Sequence, residues 1–400
     1  MNIYVARQPI FRRNMSVYGY ELFYRRSENN FYEGTSDSQA TAELINNAFL
    51  SFGLKDLTGG SRAFINFSQE FLEKGIPFLL PKDQIVIEIV ERVQVNETIL
   101  KACNRLKENG YLLALDDFIF TESSIALLPY ADIVKIEFSS LPYDLQIRMI
   151  KKFGKKTAFL AEKLETRDDF LLAAAMGYQL FQGYFFSKPM MSRGREVGAL
   201  NINLIRILEE LNHEVPEIDQ ISGIIEKDLG LSYKLVKASN SVYFGGRSKI
   251  NSIQQAVVRL GLQEITKWIY LFMLKEVKNP DNAELIKTSL VRGKLMELYS
   301  STLNMKRRSS EFFITGLFSA IDSILGRDMD DIVNELPLTS YIKEALLGQD
   351  NELRQMLNVI INYEKAQWTK NDTPEQELNE DWDQYMNLYL DALRWEREFG

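Results

Sequence analysis

The chain has 400 residues, of which 46% are hydrophobic and 26% charged, as in globular proteins. This length suits two domains of about 200 residues each, and no apolar run reaches the roughly 18 residues that span a bilayer. The net charge of −8 argues against broad electrostatic binding to nucleic acid, and the single cysteine, Cys103, excludes a disulfide framework and a multi-cysteine zinc site.

The amino-acid composition also argues against chemistry that depends on histidine. The only histidine, His213, lies in the polar stretch NHEV, so neither a histidine-rich metal site nor a Ser-His-Asp triad is expected. The first residues, MNIYVARQPIF, lack the long apolar core of a signal peptide, which predicts a cytoplasmic protein. Any hydrolysis must therefore use carboxylates, amides and lysine.

The first half of the chain alternates short apolar runs with amphipathic segments. The strand candidates are YGYELFYR, RAFINF, QIVIEIVE, YLLALDDF, DIVKIEF, TAFLAEKLE and YQLFQGYFF. Most are continuous apolar runs, which is typical of strands buried on both faces of a parallel sheet. Helical segments lie between them, and two of these end at a glycine suited to a left-handed terminus, Gly110 and Gly177. The pattern predicts a TIM-like (β/α)8 barrel; a doubly wound open sheet is the alternative, although no glycine-rich phosphate loop follows an early strand.

From about residue 195 the strand signal fades and apolar residues recur at helical spacing, as in Leu204, Ile205, Leu208 and Leu211. The segment PMMSRGREVGA reads as the hinge before this region. We therefore predict two domains, an α/β barrel over residues 1–194 and an all-α domain over residues 195–400.

Polar side chains fall in or just after most of the strand candidates. They are Glu21, Asn66, Glu88, Asp116, Asp117, Lys135, Glu137, Glu162 and Gln182. A buried carboxylate costs several kcal/mol unless it is paired or bound to a metal. Because the carboxyl ends of barrel strands converge on one mouth, these groups are expected to form a cage of hard oxygen ligands that suits Mg²⁺ or Mn²⁺.

Two features sharpen this prediction. The adjacent Asp116 and Asp117 diverge at a strand end, so each could hold a different ion of a metal pair that activates water and stabilises a leaving oxygen. Beside two cations, Lys135 is expected to have a lowered pKa and to accept a proton. The alternative is that each group acts alone, with the aspartates capping a helix and Lys135 in solvent; that account must hold separately at every strand.

The motifs that carry these residues resemble the EAL domain of cyclic di-GMP phosphodiesterases, and the second half resembles an HDOD domain. The first resemblance rests on Gln8-Pro9, ELFYR, FINFS, EIVE, LDDF, VKIE, AEKLE and FQGYFFSKP. The second rests on IIEKDLGLSYKLVKASNSVYFG, INSIQQAVVRLG and FFITGLFSAIDSIL. Together they span essentially the whole chain.

The resemblance implies metal-dependent hydrolysis of cyclic di-GMP to linear pGpG at a two-metal site. It implies metal ligands at Glu21, Asn66, Glu88, Asp116, Asp117 and Glu137. It implies catalytic roles for Lys135, Glu162 and Gln182, support from Glu91 and Glu165, and substrate contacts from Gln8 and Arg25. In the helical half, His213 cannot supply the His-Asp pairs of related phosphohydrolases, so this half is expected to regulate or to bind an unknown protein partner, with a homodimer as a further possibility.

The sequence departs from the family in the middle letters of its signature motif, here ELFYR, and at two further positions of the site. Glu137 stands where the family has aspartate, and Ile119 where it has the glycine that follows the paired aspartates. A displacement of about 1 Å can cost 100-fold in rate. Two other functions therefore stay open: a receptor that binds cyclic di-GMP without cleaving it, and a scaffold whose helical half recruits partners.

Overall fold

The computed structural model describes residues 3–26, 54–119, 121–187, 201–239, 252–365 and 382–399. Its contacts divide the chain into two compact units, Met1–Lys188 together with Val359–Gly400, and Pro189–Asn358. The predicted hinge lies outside the described residues. Among the described helices, none is both long and apolar enough to cross a membrane.

The first unit contains a closed barrel of eight strands, which confirms the predicted fold class. The strands are β1 Ile3–Arg12, β2 Val17–Arg26, β3 Arg62–Phe67, β4 Ile85–Ile89, β5 Leu112–Leu115, β6 Ile133–Glu137, β7 Ala158–Leu164 and β8 Leu180–Gly183. Six of the seven strand candidates contain one of these strands, and the seventh, YGYELFYR, lies within β2. Every residue of β4 is buried, as expected for a strand covered on both faces.

The sequence analysis missed one strand. Ile3–Arg12 forms β1, which pairs antiparallel with both β2 and β8 and so closes the ring, whereas all other pairs are parallel. The expectation that all strands run the same way was therefore wrong for β1. Polar Arg7 and Gln8 interrupt the apolar run of this strand, which hid it from a search for continuous apolar segments.

Helices surround the barrel strands. They are α1 Leu54–Thr58, α2 Gln69–Glu73, α3 Glu97–Glu108, α4 Glu122–Leu127, α5 Tyr143–Phe153 and α6 Arg167–Met176. Side chains cap several of them; Asn96 accepts from the Ile99 amide, for example. Gly110 and Gly177 follow α3 and α6 with φ of +84° and +105°, which confirms the predicted left-handed termini.

The second unit is all-α in its described residues, which confirms the predicted helical region. Its helices are α7 Ile202–Leu211, α8 Ile218–Glu226, α9 Leu229–Ser239, α10 Ile253–Leu260, α11 Leu262–Glu276, α12 Ala283–Ser300, α13 Ser309–Phe318, α14 Ile321–Leu325, α15 Met329–Glu335 and α16 Ser340–Leu346. The boundary between the two units falls within the next helix, α17 Glu352–Glu364. The helices α12 and α13 pack closely because Gly316 has no Cβ; one added there would lie 2.6 Å from the carbonyl oxygen of Arg292.

The last helix, α18 Trp382–Phe399, belongs to the first unit, whereas the sequence analysis placed all of residues 195–400 in the helical domain. Arg394 and Arg397 of this helix both pair with Asp56 at the end of α1. Just before it, the Tyr363 hydroxyl donates to the carbonyl oxygen of Val5 in β1, at 3.0 Å. The sequence pattern indicated a helix here but contained no information on the surface that it packs against.

A candidate metal centre at the mouth of the barrel

Two layers of side chains fill the barrel. Because successive residues of a strand point to opposite faces, the two layers lie two residues apart along each strand. The lower layer is apolar and consists of Ile10, Phe64, Val86, Ala114, Ile133, Leu160 and Leu180. Two residues further along each parallel strand, on the same inner face, stands a polar residue. These are Asn66, Glu88, Asp116, Lys135, Glu162 and Gln182.

The strands β1 and β2 fit the same two layers. Because β1 runs antiparallel, its polar residue, Gln8, comes two residues before Ile10, and Gln8 pairs in register with Glu21 of β2. The lower-layer position of β2 is Gly19. A Cβ at Gly19 would lie 2.8 Å from the ring of Phe64, so the missing side chain makes room for that ring.

Lys135 occupies the centre of the polar layer and is completely buried. Four carboxylates from four different strands surround its Nζ atom. The distances are 2.7 Å to Glu88 Oε1, 2.7 Å to Asp116 Oδ1, 3.0 Å to Glu162 Oε1 and 3.2 Å to Glu21 Oε1. Acids that lie up to 141 positions apart in the chain, Glu21 and Glu162, thus share one cation. The prediction that these acids meet at one mouth of the barrel requires an arrangement of this kind.

Negative charge exceeds positive charge in this cluster, and the pKa values respond accordingly. Burial raises the pKa of Glu21, and it raises the pKa of Glu88 well above its ordinary value, with repulsion between the two acids adding to the effect at Glu88. Burial is also the main cause that raises the pKa of Glu162 to about 8, because the nearby Lys135 offsets only part of it. The protein groups alone therefore leave these carboxylates short of positive charge.

Lys135 itself responds in the opposite direction to the one predicted for a lysine beside two cations. Burial lowers the pKa of its ammonium, but Glu162, Glu21, Glu88 and Asp116 outweigh burial and raise that pKa well above its ordinary value. Among protein groups alone, Lys135 is thus a firmly charged counterion. Proton acceptance by Lys135 requires additional positive charge on the surrounding acids.

Several buried oxygen atoms in the site lack hydrogen-bond partners. They include Glu88 Oε2, Glu162 Oε2 and Gln182 Oε1. Such atoms cost about 1–3 kcal/mol each unless something satisfies them. One carboxylate oxygen from each of Asp116, Asp117 and Glu162 also lies within 4.8 Å of the others. Hard oxygen donors around excess negative charge fit a divalent cation such as Mg²⁺ or Mn²⁺, so the residues present can hold the metal that the sequence analysis expected.

Amide side chains form one wall of the site. Gln182 Nε2 donates to Glu21 Oε2 at 2.7 Å and also lies 3.3 Å from Gln8 Oε1. Gln8 Nε2 in turn donates to the hydroxyl of Tyr184, at 3.2 Å. These bonds fix the orientation of the Glu21 carboxylate. Tyr184 was not identified from the sequence, because a tyrosine after an apolar strand is as common in cores as in sites.

Asp117 lies at the rim of the site with an unusual backbone. Its φ of +40° is in the left-handed region, which non-glycine residues rarely adopt and which often marks a functional site. The flanking amides hold this conformation, since Asp116 N donates to Ile89 O and Phe118 N donates to Lys135 O. Burial, followed by the charge of Asp116, raises the pKa of Asp117.

Glu137 does not point to the central lysine. Its Oε2 atom lies 2.6 Å from Nζ of Lys163, a residue that the sequence analysis did not single out. Lys163 has a φ of +56° and lies where the register between β7 and β8 shifts. Glu137 still pairs in register with Glu162, so it belongs to the rim of the same site.

The remaining residues that the sequence predicted for the site lie at its edge, are exposed, or have side chains outside the described residues. Asn66 is the penultimate residue of β3 and pairs in register with Glu88 of β4. Glu91 is exposed on the turn after β4, where it pairs with Arg92, and Glu165 is exposed after β7. Arg25 lies on β2, but its side chain is outside the described residues. Ile119 is 62% exposed, and its carbonyl oxygen accepts from the Thr121 amide, so the loop turns there without glycine.

The helical unit contains buried charges but no comparable cluster of ligands among its described residues. Lys267 contacts both Glu264 and Glu297, and Lys294 lies 2.8 Å from Glu297. His213 is largely exposed, with Glu210 4.0 Å away.

Comparison with known proteins matches both halves of the chain. The EAL domain model matches residues 2–189 and the HDOD domain model matches residues 199–335. YuxH of Bacillus subtilis is 38% identical over 99% of this chain and 98% of its own length. The cyclic di-GMP phosphodiesterase CdgJ of Vibrio cholerae is 33% identical over 99% of this chain and 93% of its own length.

Among solved structures, a calcium and cyclic di-GMP complex of Klebsiella pneumoniae BlrP1 is 21% identical, with a TM-score of 0.40. The similarity covers 47% of this chain and 56% of that chain.

Proposed function

Because the chain belongs to the family of proteins that join an EAL domain to an HDOD domain, we propose that it hydrolyses cyclic di-GMP to linear pGpG. The observation that carries this proposal is the cluster around Lys135, in which three buried carboxylates and the partly buried Asp116 share one ammonium, while Glu88 and Glu162 retain unsatisfied oxygen atoms. The whole-length similarity to CdgJ, a cyclic di-GMP phosphodiesterase, supports the same substrate.

The acids divide into two groups that suit a pair of Mg²⁺ or Mn²⁺ ions. Glu21, Asn66, Glu88 and Asp116 would hold one ion, while Asp117 and Glu137 would hold the other. Bound ions would lower the pKa of a water molecule and stabilise the charge that develops on the leaving oxygen of the phosphodiester.

The residues of the chain contribute orientation and proton transfer. The hydrogen bond from Gln182 Nε2 keeps the Glu21 carboxylate in place, and Gln182 Oε1 remains able to accept from a water molecule. Additional positive charge on the four acids weakens the effect that raises the pKa of Lys135, which allows Nζ to exchange a proton with the attacking water. Glu162, whose Oε1 atom lies 3.0 Å from Nζ, would hold the lysine in position.

The helical unit would regulate the barrel or bind a protein partner. The balanced charges and the single exposed histidine of that unit support a role without chemistry. Its partner, a homodimeric state and the cytoplasmic location stay predictions from the sequence.

The test is to incubate the purified full-length protein with cyclic di-GMP and either Mn²⁺ or Mg²⁺, and to measure pGpG by chromatography. We expect turnover that EDTA abolishes and that Asp116→Asn lowers at least about 100-fold, because loss of a ligand costs no less than loss of a group that orients one. Asp330→Asn, which removes an exposed acid from α15, is the matched control and should retain wild-type turnover. Binding of cyclic di-GMP without any product in either metal would indicate a receptor and contradict the proposal.

A further inference from the structure

Lys163 reaches the mouth of the barrel only because β7 is irregular beside it. Successive residues of a regular strand point to opposite faces, so the residue after the inward-facing Glu162 should point away from the barrel interior. The register shift between Ala161 and Leu164 and the left-handed backbone of Lys163, with φ of +56°, change that direction. A bulge of this kind re-aims a side chain and is common beside active sites.

The ammonium of Lys163 lies beside acids at the rim of the mouth. One of them, Glu137, is not among the four acids that contact Lys135. Its Nζ atom lies 2.6 Å from Oε2 of Glu137. Its charge also interacts with Asp117 and Glu162, two of the three acids whose oxygens lie close enough to share an ion. Lys163 therefore faces the outer set of acids, in which Glu137 and Asp117 are the ligands proposed above for the second ion.

We propose that Lys163 is a built-in competitor of the second divalent ion, so that this ion binds only when the Lys163 ammonium leaves Glu137. The inference rests on the proposed function, since it concerns the same metal site. The Lys163 side chain is 60% exposed and can move into solvent without breaking the core. The first ion, held by Glu21, Asn66, Glu88 and Asp116, does not compete with Lys163, since none of these side chains is paired with it.

The charges set the expected size of the effect. An ammonium about 5 Å from a divalent ion repels it by an amount equivalent to about tenfold in affinity, even at the dielectric constant of water. Removal of that charge should therefore tighten binding of the second ion about tenfold and affect the more distant first ion less.

The experiment is a titration of the full-length protein with Mn²⁺ in the absence of nucleotide. Binding is measured by calorimetry and, independently, by the electron paramagnetic resonance signal of free Mn²⁺. The variant is Lys163→Gln; Lys163→Asn serves as a second neutral variant, because asparagine tolerates a left-handed backbone. Lys163→Arg retains the charge. Lys156→Gln removes an exposed lysine just before the other end of β7 and is the matched control.

We expect two binding steps in the wild type, with the second step about tenfold tighter in both neutral variants and unchanged in Lys163→Arg and Lys156→Gln. Equal second-step affinities in the wild type and in Lys163→Gln would overturn the inference, as would equal tightening by Lys156→Gln. Hydrolysis of cyclic di-GMP is measured separately on the same preparations. If the wild type hydrolyses cyclic di-GMP but the neutral variants bind the second Mn²⁺ ion no more tightly, this inference alone is overturned. If neither the wild type nor any variant binds Mn²⁺, the inference and the proposed metal-dependent function are both overturned.

Discussion

Each unit of the protein buries a cluster of charged side chains, and the two clusters differ in their balance of charge. In the barrel, one ammonium, Lys135, faces four carboxylates. In the helical unit, Lys267 and Lys294 both contact Glu297, and Lys267 also contacts Glu264, so that two cations face two acids. The helical cluster is also less buried, since the Glu264 side chain is 35% exposed, and of the two clusters only the one in the barrel has carboxylates in excess.

The pKa shifts follow from this difference. In the barrel, burial raises the pKa of Glu162 to about 8, and a single lysine does not compensate for it. In the helical unit, burial also acts to raise the pKa of Glu297, but Lys294 and Lys267 outweigh burial and lower it. A cluster that satisfies itself stabilises a fold. A cluster with excess charge and unsatisfied oxygens is arranged for a ligand that the chain does not supply.

The largest expected effect comes from removing the lysine of the barrel cluster. Lys135→Met should lower the rate of cyclic di-GMP hydrolysis by about 10²–10⁴-fold, the usual contribution of a positioned proton-transfer group. The measurement is kcat at saturating Mn²⁺. Lys267→Met is the control from the other cluster and should retain kcat within about twofold wherever the variant remains folded. Equal losses of kcat in the two variants would remove the distinction between the clusters.

A smaller effect is expected on the free energy of unfolding. Here a substitution in the helical cluster should be the damaging one, and a substitution in the barrel cluster should not. Lys267→Met leaves Glu297 without one of its two cations, and we expect it to lower the free energy of unfolding by about 2–3 kcal/mol, somewhat less than the loss from a fully buried pair. Urea denaturation of the helical unit, followed within the full chain, measures this value. In contrast, Glu88→Gln should not destabilise the barrel, because it removes a buried negative charge that Lys135 cannot balance alone. Destabilisation by Glu88→Gln as large as that by Lys267→Met would contradict the comparison.

The pH dependence of stability should have opposite signs in the two units, with slopes of at most about 1.4 kcal/mol per pH unit for each group. The pKa of Glu162 is raised from an ordinary value of 4.5 to about 8, so the folded barrel binds more protons than the unfolded chain between these values. Its contribution to stability is therefore lost as the pH rises from about 4.5 to about 8. The pKa of Glu297 is lowered, so its contribution is present at neutral pH and is lost as the pH falls below its ordinary value.

Thermal unfolding in EDTA between about pH 2 and pH 8, with separate probes for the two units, measures both slopes. Saturating Mn²⁺ should flatten the slope of the barrel, since bound cations keep its carboxylates ionised. The slope of the helical unit should not respond to Mn²⁺. The same sign of slope in both units would show that the balance of charge does not control their acid response.

The parts of the fold and site that the sequence predicted are those that local patterns determine. Continuous apolar runs located seven of the eight strands, and polar residues at their ends located the acids that surround Lys135. The antiparallel β1 was missed because Arg7 and Gln8, of which Gln8 belongs to the mouth, interrupt its apolar pattern. The packing of α18 was missed because helix periodicity does not identify the surface that a helix contacts.

Lys163 illustrates why the rest of the site could not be predicted. In a regular strand the residue after Glu162 points away from the interior, and nothing in the letters AEKLE indicates a left-handed backbone at the lysine. The pairing with Glu137 depends on that one torsion angle. The direction of the Lys135 pKa shift was also out of reach, since it depends on how many carboxylates surround Nζ.

The apolar layer below the polar side chains has a kinetic consequence. Its members, such as Phe64, Val86 and Leu160, are fully buried and seal the floor of the basin. Among the described residues this layer closes the lower end of the barrel, so we expect a nucleotide product that still carries phosphate to leave by the mouth through which the substrate enters, and to compete with the substrate there.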